Sequence, residues 1–164
     1  MKATPSGGGM MFGTYPYEGN CDAKVVLQNI GKLQIQRVCW DRWARIETSP
    51  GVYNWDSSEV ARGLPIAHKY GAEAIGSIAM ANAIPSFYPQ DINDTITQNA
   101  AKSFIRNYTQ KLKAEIDKSF ILIDYEPQWW VFESGPNFNE NDWANWYSIL
   151  ADEVKATNNQ AIIM

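Results

Sequence analysis

The sequence has few of the residues that metal, nucleic-acid and membrane sites require. Its 164 residues include two cysteines and one histidine, and without a Cys-x-x-Cys pair they cannot supply a zinc cage. No apolar run reaches the roughly 18 residues of a membrane-spanning helix. Asp and Glu outnumber Lys and Arg by 18 to 14, so no basic stripe exists to neutralise a phosphate backbone. Metal, nucleic-acid and membrane partners are therefore not expected.

Targeting and cofactor signals are also missing. The N-terminal residues lack the apolar core of 7–15 residues that a signal peptide carries, and residues 1–9, rich in Gly and Ser, are predicted to be a flexible leader. Neither a Gly-x-Gly-x-x-Gly turn nor a P-loop occurs, so no nucleotide cofactor is expected. Cys21 and Cys39 are predicted to be reduced thiols, with a disulfide between them as the alternative if the chain is secreted.

What the chain does contain is typical of one packed α/β domain over residues 10–164. Hydrophobic residues make up 45% and aromatic residues 13% of the sequence, which is far too apolar for a disordered segment. Strand-like and helix-like periodicities alternate along the chain. Strands are predicted at 10–15, 33–40, 74–79, 120–123 and 161–164. Helices are predicted from Asp22, from Asp56 or Ser57 to about Tyr70, over 97–116, and around 143–154 after an Asn139 or Asn141 cap.

This βαβαβαβαβ order, with no hairpin signal, predicts parallel strands joined by helical crossovers. An open doubly wound sheet and a (β/α)8 barrel both fit. Long loops rich in Trp, Tyr and Asn favour the barrel, whose ligands bind at the carboxyl ends of the strands. The chain would then hold about the first four and a half βα units of a barrel. The open strand edges of such a partial barrel would favour self-association.

The sharpest chemical feature is Asp124-Tyr125-Glu126-Pro127, directly after the fourth strand. In an extended chain the two carboxylates would share one face, with Cα atoms about 6.6 Å apart. Repulsion between like charges at this distance raises one pKa and gives a candidate proton donor, which cleavage of a glycosidic bond requires. Solvated acidic groups at the strand end, or a metal site in a doubly wound domain, are the alternatives.

Other candidate ligand groups cluster in the loops after the strands. Sugar rings stack on aromatic side chains, whereas their hydroxyls need polar partners. The second strand carries Arg37, expected to pair with the strand-four carboxylates, and the loop after the third strand carries Asn82. The candidate aromatic contacts are Trp40, Trp43, Tyr125, Trp129 and Trp130.

Two of these segments resemble clan A glycoside hydrolases, the retaining (β/α)8-barrel enzymes of the β-galactosidase, β-xylosidase and cellulase type. The segment RVCWDRWARIETSPGVYNW, residues 37–55, is similar to their second strand and its loop. AIGSIAMANAIPSFYP, residues 74–89, is similar to their strand-three loop. The resemblance implies a general acid/base at Glu126, where the family has Asn-Glu-Pro, and a nucleophile on a seventh strand outside this chain.

The chain departs from that family at Tyr125, where the family has the asparagine that contacts the sugar 2-hydroxyl. Asp124-Tyr125-Glu126 also resembles the Asp-x-Glu of chitinase- and hyaluronidase-type enzymes, whose nucleophile is the substrate's own acetamido group. The earlier aspartates of that motif are replaced by Ser119 and Leu122. The sequence thus predicts a glycoside hydrolase acting on an oligo- or polysaccharide. A substrate-assisted hydrolase and a non-catalytic carbohydrate-binding or incomplete barrel domain are the alternatives.

Overall fold

The computed structural model describes residues 13–14, 35–69, 73–115, 120–124 and 139–163. Outside these residues lie the predicted leader, the predicted helix from Asp22, Cys21, and Tyr70 at the predicted end of the second helix. The strands are β1 Gly13–Thr14, β2 Ile35–Arg42, β3 Glu47–Ser49, β4 Val52–Tyr53, β5 Glu73–Ala79, β6 Phe120–Ile123 and β7 Ile162–Ile163. The helices are α1 Trp43–Ile46, α2 Glu59–Lys69, α3 Thr95–Glu115 and α4 Glu140–Thr157, with a 3₁₀ turn at Trp55–Ser57.

Five of the described strands form one parallel sheet. Its order is β1-β2-β5-β6-β7, so each strand pairs with the next one that belongs to this sheet. A doubly wound sheet instead reverses its strand order at a switch point, and the described strands contain no such reversal. The predicted α/β fold with parallel strands is confirmed. The strands predicted at 33–40, 74–79 and 120–123 form within two residues of their predicted ends.

The second strand contains an irregularity that the sequence pattern did not indicate. Arg37 pairs with Ile75, but Trp40 pairs with Ser77, so β2 uses one residue more than β5 between these pairs. Such a bulge interrupts the alternation of faces along a strand. Unbroken alternation would place Ile35, Arg37 and Cys39 on one face of the strand, and the register interrupts this alternation after Arg37.

A β-hairpin follows the sheet's second strand, although no hairpin was predicted. Strands β3 and β4 pair antiparallel, with Ser49 opposite Val52, so Pro50 and Gly51 form a two-residue hairpin loop. Gly51 has a φ of 74°, a value that residues with a Cβ atom rarely adopt.

Each of the three longer helices begins at an identifiable cap. In α4 the predicted Asn139 is the N-cap, and its side chain forms a reciprocal capping box with Asp142. Asp94 caps α3 by accepting from the backbone N–H of Ile96. The prediction for α2 was wrong, because Ser58, and neither Asp56 nor Ser57, accepts from a first-turn N–H. The helix α2 also continues through Pro65, although proline in a helix interior often interrupts it.

The core lies where α3 and α4 pack together and against the loops at one edge of the sheet. Its largest fully buried side chains are Trp43, Trp146, Tyr108, Phe104 and Ile46. Phe104, Tyr108 and Leu112 share the predicted apolar stripe of α3, and Trp146, Leu150 and Val154 that of α4. This packing fixes the residues that follow the strands, which are the candidates for function.

Candidate functional site

The carboxyl ends of three neighbouring parallel strands meet at one edge of the sheet. Strand β2 ends at Arg42, β5 at Ala79 and β6 at Ile123, and their registers place these ends side by side. Ligands of parallel α/β folds bind outside this edge. The loops that start here, and Asp124 directly after β6, therefore form the candidate site.

Asp124 lies at the centre of this edge and is 6% exposed. Its backbone N–H donates to the Ile78 carbonyl at 2.9 Å. Its Oδ1 accepts from the backbone N–H of Met80 at 2.5 Å and of Ala81 at 3.0 Å. Its Oδ2 accepts from Ala81 at 3.2 Å and from the Trp146 indole N–H at 3.1 Å. One carboxylate thus joins the end of β6, the loop after β5 and helix α4.

These bonds use both oxygens of the carboxylate. An ionised carboxylate offers about four lone-pair positions, and three N–H donors bind here, with the Ala81 N–H shared between the two oxygens. Desolvation by burial raises the pKa of Asp124 from 3.8 to about 6, and the bonds from Met80, Ala81 and Trp146 partly oppose that rise. At neutral pH Asp124 is therefore mostly ionised, and each of its oxygens already accepts a hydrogen bond. The geometry favours a positioning role over the predicted catalytic one.

The backbone at Asp124 also alters the argument that paired it with Glu126. Asp124 has a φ of 50°, a left-handed conformation that an extended strand does not contain. The predicted spacing of about 6.6 Å assumed an extended chain, and this assumption fails at Asp124. Glu126 itself lies outside the described residues.

Trp43, predicted as a substrate contact, is fully buried. Its ring packs between Tyr88 and Phe104, with centroid distances of 5.6 and 5.8 Å, and its indole N–H donates to the Glu47 carboxylate. No face of the ring is open to a ligand. The structure therefore corrects this prediction and gives Trp43 a packing role instead.

Glu47 was not predicted, yet it organises the hairpin. It is buried, and its Oε1 accepts from the backbone N–H of Gly51 at 2.7 Å and from the Tyr88 hydroxyl at 2.8 Å. Burial and the bond to Glu47 raise the pKa of Tyr88. The spacing Trp43-x-x-x-Glu47 across one turn was the available sequence signal, because residues four apart in a helix are neighbours.

Asp41 forms a second buried carboxylate cluster that the sequence analysis did not single out. Its Oδ2 accepts from the Ser58 hydroxyl at 2.5 Å and the Tyr108 hydroxyl at 3.1 Å, and its Oδ1 accepts from the backbone N–H of Glu59 at 2.8 Å. Burial raises the pKa of Asp41 despite these bonds. Asp41 therefore caps α2 from the neighbouring strand and ties it to α3, a contact between distant residues that local patterns do not reveal.

Asn82 is the predicted polar contact that remains available. It occupies a turn in which the Ala83 N–H donates to the Met80 carbonyl at 3.1 Å, and the Ala83 carbonyl accepts from the Ala44 N–H at 2.8 Å. The residues around it are buried, whereas Asn82 is half-buried, and no hydrogen bond from its side chain is found in the described part of the chain. Asn82 and Asp124 are thus brought together through the backbone of Ala81.

The other predicted site residues are placed only in part. Arg37 and Trp40 lie in β2, whose side chains before Asp41 are not described. Tyr125, Trp129 and Trp130 lie, like Glu126, outside the described residues.

Among the residues that are described, no three His, Cys, Asp or Glu side chains form a group able to hold a metal ion. The described helices include none that is both long and apolar enough to cross a membrane.

Comparison with known proteins relates this chain to glycoside hydrolases through its fold. No family model matches the chain, and no curated protein matches it. A GH5_18 variant from Bifidobacterium longum subsp. longum, solved in complex with Manβ1-4GlcNAc, superposes with a TM-score of 0.64 over 87% of the chain at 14% identity. The exo-β-1,4-mannosidase Op5Man5 from Opitutaceae bacterium strain TAV5 gives 0.70 over 92% at 15% identity.

Both neighbours are much longer than this chain. The matched region spans 36% of the first and 30% of the second. The structural likeness establishes an α/β fold of the kind found in GH5 glycoside hydrolases, which is consistent with the resemblance to clan A seen in the sequence.

Proposed function

We propose that this chain is the N-terminal part of a (β/α)8-barrel glycoside hydrolase, comprising about its first four and a half βα units. The observation that carries the proposal is the order of the sheet, β1-β2-β5-β6-β7, all parallel and in chain order. A barrel requires this order, since each βα unit adds its strand beside the previous one. The likeness to two barrel enzymes acting on or binding β-mannosides supports it.

In this proposal Glu126 is the general acid/base. It follows Asp124 by two residues, and Asp124 is fixed at the carboxyl edge where barrel enzymes hold their substrates. Glu126 donates a proton to the leaving glycosidic oxygen, and then accepts one from the water that completes hydrolysis. The nucleophile comes from residues outside this chain. Asp124 positions the strand end and does not itself react.

The proposed substrate is a β-linked oligosaccharide, with β-1,4-mannosides as the first compounds to test. One structural neighbour was solved with Manβ1-4GlcNAc bound, and the other is an exo-β-1,4-mannosidase. Aromatic side chains after β6, at Trp129 and Trp130, would offer apolar faces to the sugar rings. The alternative of substrate-assisted hydrolysis is less supported, because an aspartate that steadies an acetamido group must accept a hydrogen bond from it, and both oxygens of Asp124 already accept from Met80, Ala81 and Trp146.

The test measures release of reducing ends from β-linked manno-, gluco-, xylo- and galacto-oligosaccharides by the full encoded polypeptide. General acid–base catalysis contributes about 10²–10⁴-fold to a rate, so Glu126→Gln should lower hydrolysis by that factor. Glu140→Gln is the matched control, because Glu140 is an exposed residue at the start of α4, and it should leave the rate unchanged.

Two outcomes of this test count against the proposal. Equal activity of the Glu126→Gln variant and the unaltered protein would remove Glu126 from the chemistry. Binding of an oligosaccharide without any hydrolysis would favour the carbohydrate-binding alternative over the enzyme.

A further inference from the structure

The loop after β5 contains a turn whose backbone is fixed by hydrogen bonds within the turn and to two other segments. In residues 80–83 the N–H groups of Met80 and Ala81 both donate to Asp124. The N–H of Ala83 closes the turn on Met80, and its carbonyl accepts from Ala44. The turn therefore has little freedom to move independently of β6 and of the segment after β2.

Within this turn the polar side chain of Asn82 differs from its surroundings. Met80, Ala81 and Ala83 are buried, whereas Asn82 is half-buried, and its amide has no hydrogen-bond partner in the part of the chain that is described. An amide carries two donors and one acceptor. A half-buried amide on an immobile turn is thus poised to bind a partner at little cost in conformational entropy.

We infer that the turn at residues 80–83 recognises a sugar hydroxyl, that Asn82 makes the contact, and that Asp124 sets the geometry of the turn. A hydroxyl donates one hydrogen bond and accepts others, so one amide can satisfy it in both directions. The turn lies at the carboxyl edge of the sheet, where the proposed substrate binds. This inference rests on the proposed function and adds a recognition element to the same site.

Asp124 is the positioning residue in this arrangement. A change at Trp146 serves as the control that separates the effect of Asp124 on the turn from its effect on the stability of the fold. Asp124→Ala removes the acceptor of both turn N–H groups. Trp146→Phe removes only the indole donor that reaches the same carboxylate from α4, leaving Met80 and Ala81 held. Both changes destabilise the fold, but only the first releases the turn.

The first measurement is amide hydrogen exchange, which needs no ligand. The Met80 and Ala81 amides should be protected in the unaltered chain and in Trp146→Phe, and should exchange at least tenfold faster in Asp124→Ala at equal fractions folded. Equal protection of these two amides in Asp124→Ala would overturn the role assigned to Asp124.

The second measurement is calorimetric titration with Manβ1-4GlcNAc and β-1,4-mannotriose. A lost hydrogen bond that leaves a buried group unpaired costs about 1–3 kcal/mol, so Asn82→Ala should weaken binding by about 5- to 150-fold. Asn99→Ala, at an exposed position of α3, is the control and should bind within twofold of the unaltered chain. Asp124→Ala should also bind at least fivefold more weakly, and Trp146→Phe should not.

The outcomes separate this inference from the proposed function. Sugar binding that is unchanged in Asn82→Ala would overturn the inference and leave the glycoside hydrolase proposal standing. Failure of the unaltered protein to bind either sugar would overturn the inference and the β-mannoside substrate, whereas hydrolysis of another β-linked oligosaccharide would leave the glycoside hydrolase proposal standing.

Discussion

The bond between Trp146 and Asp124 gives a prediction that can be worked out from the structure. Trp146 is fully buried, and its indole N–H donates to Oδ2 of Asp124 at 3.1 Å. In Asp124→Asn the amide oxygen can keep the Met80 and Ala81 donors, but the amide nitrogen then faces the indole N–H. Leaving a buried donor unpaired costs about 1–3 kcal/mol, so this single change should destabilise the fold through that pair.

A double-mutant cycle isolates the pair. Trp146→Phe in the unaltered chain loses a hydrogen bond to a charged group, worth about 1.5–3 kcal/mol, together with some packing. In the Asp124→Asn background no such bond remains to be lost, while the packing loss is the same. The two changes together should therefore cost about 1.5–3 kcal/mol less than the sum of the single changes.

The assay is urea unfolding at pH 7.5, where Asp124 is ionised, followed by far-ultraviolet circular dichroism because one variant removes a fluorophore. Independent sites add within about 0.3–0.5 kcal/mol. Additivity of Asp124→Asn and Trp146→Phe within that range would refute the account of Asp124 as the junction between α4 and the turn.

Three further predictions concern other features of the fold. The folded-state pKa of Asp124, about 6, lies above its unfolded value of 3.8, so its contribution favours the folded state below pH 3.8 and is lost as the pH rises through 6. The stability of the unaltered chain minus that of Asp124→Asn should therefore fall by about 3 kcal/mol between pH 3.5 and 7, and urea titrations showing a rise would contradict this. Gly51→Ala should cost about 1–2 kcal/mol in the same assay, because a Cβ disfavours its φ of 74°. Ser58→Ala should cost about 1–2 kcal/mol through the lost cap of α2, and no change in the urea midpoint would remove its capping role.

The elements that local periodicity determines were predictable from the sequence. The apolar stripes of α3 and α4 and the unbroken apolar run of β6 predicted those elements, and Asn139 was recognised as a cap. Their alternation also predicted the parallel sheet, since each crossover helix must return the chain to the same edge.

What the sequence did not reveal depends on contacts between distant residues. Asp41 caps α2 although its strand, β2, ends 17 residues before α2 begins. The hydrogen bond between Asp41 and Tyr108 joins residues that are 67 positions apart. Trp43 was predicted to contact a sugar, because aromatic side chains in loops after strands can stack on sugar rings. In the structure Tyr88, Phe104 and Glu47 surround its side chain. Burial of this kind arises only after three segments have packed.

Asp124 shows the same limit within the candidate site. Its position after β6 correctly indicated the carboxyl edge of the sheet, but the sequence could not show that Met80, Ala81 and Trp146 supply donors for both of its oxygens. A carboxylate at a strand end can react or can hold a loop, and only its partners distinguish these roles.

The most direct test of the central claim is the dependence of hydrolysis on the leaving group in the Glu126→Ala variant. A proton donor is needed for a basic sugar leaving group and hardly at all for 2,4-dinitrophenolate. We predict that kcat/KM of the full encoded polypeptide falls about 10²–10⁴-fold for β-1,4-mannotriose and by less than tenfold for 2,4-dinitrophenyl β-mannoside. Equal losses for the two substrates, or no loss for either, would contradict the assignment of Glu126 as the acid/base of a glycoside hydrolase.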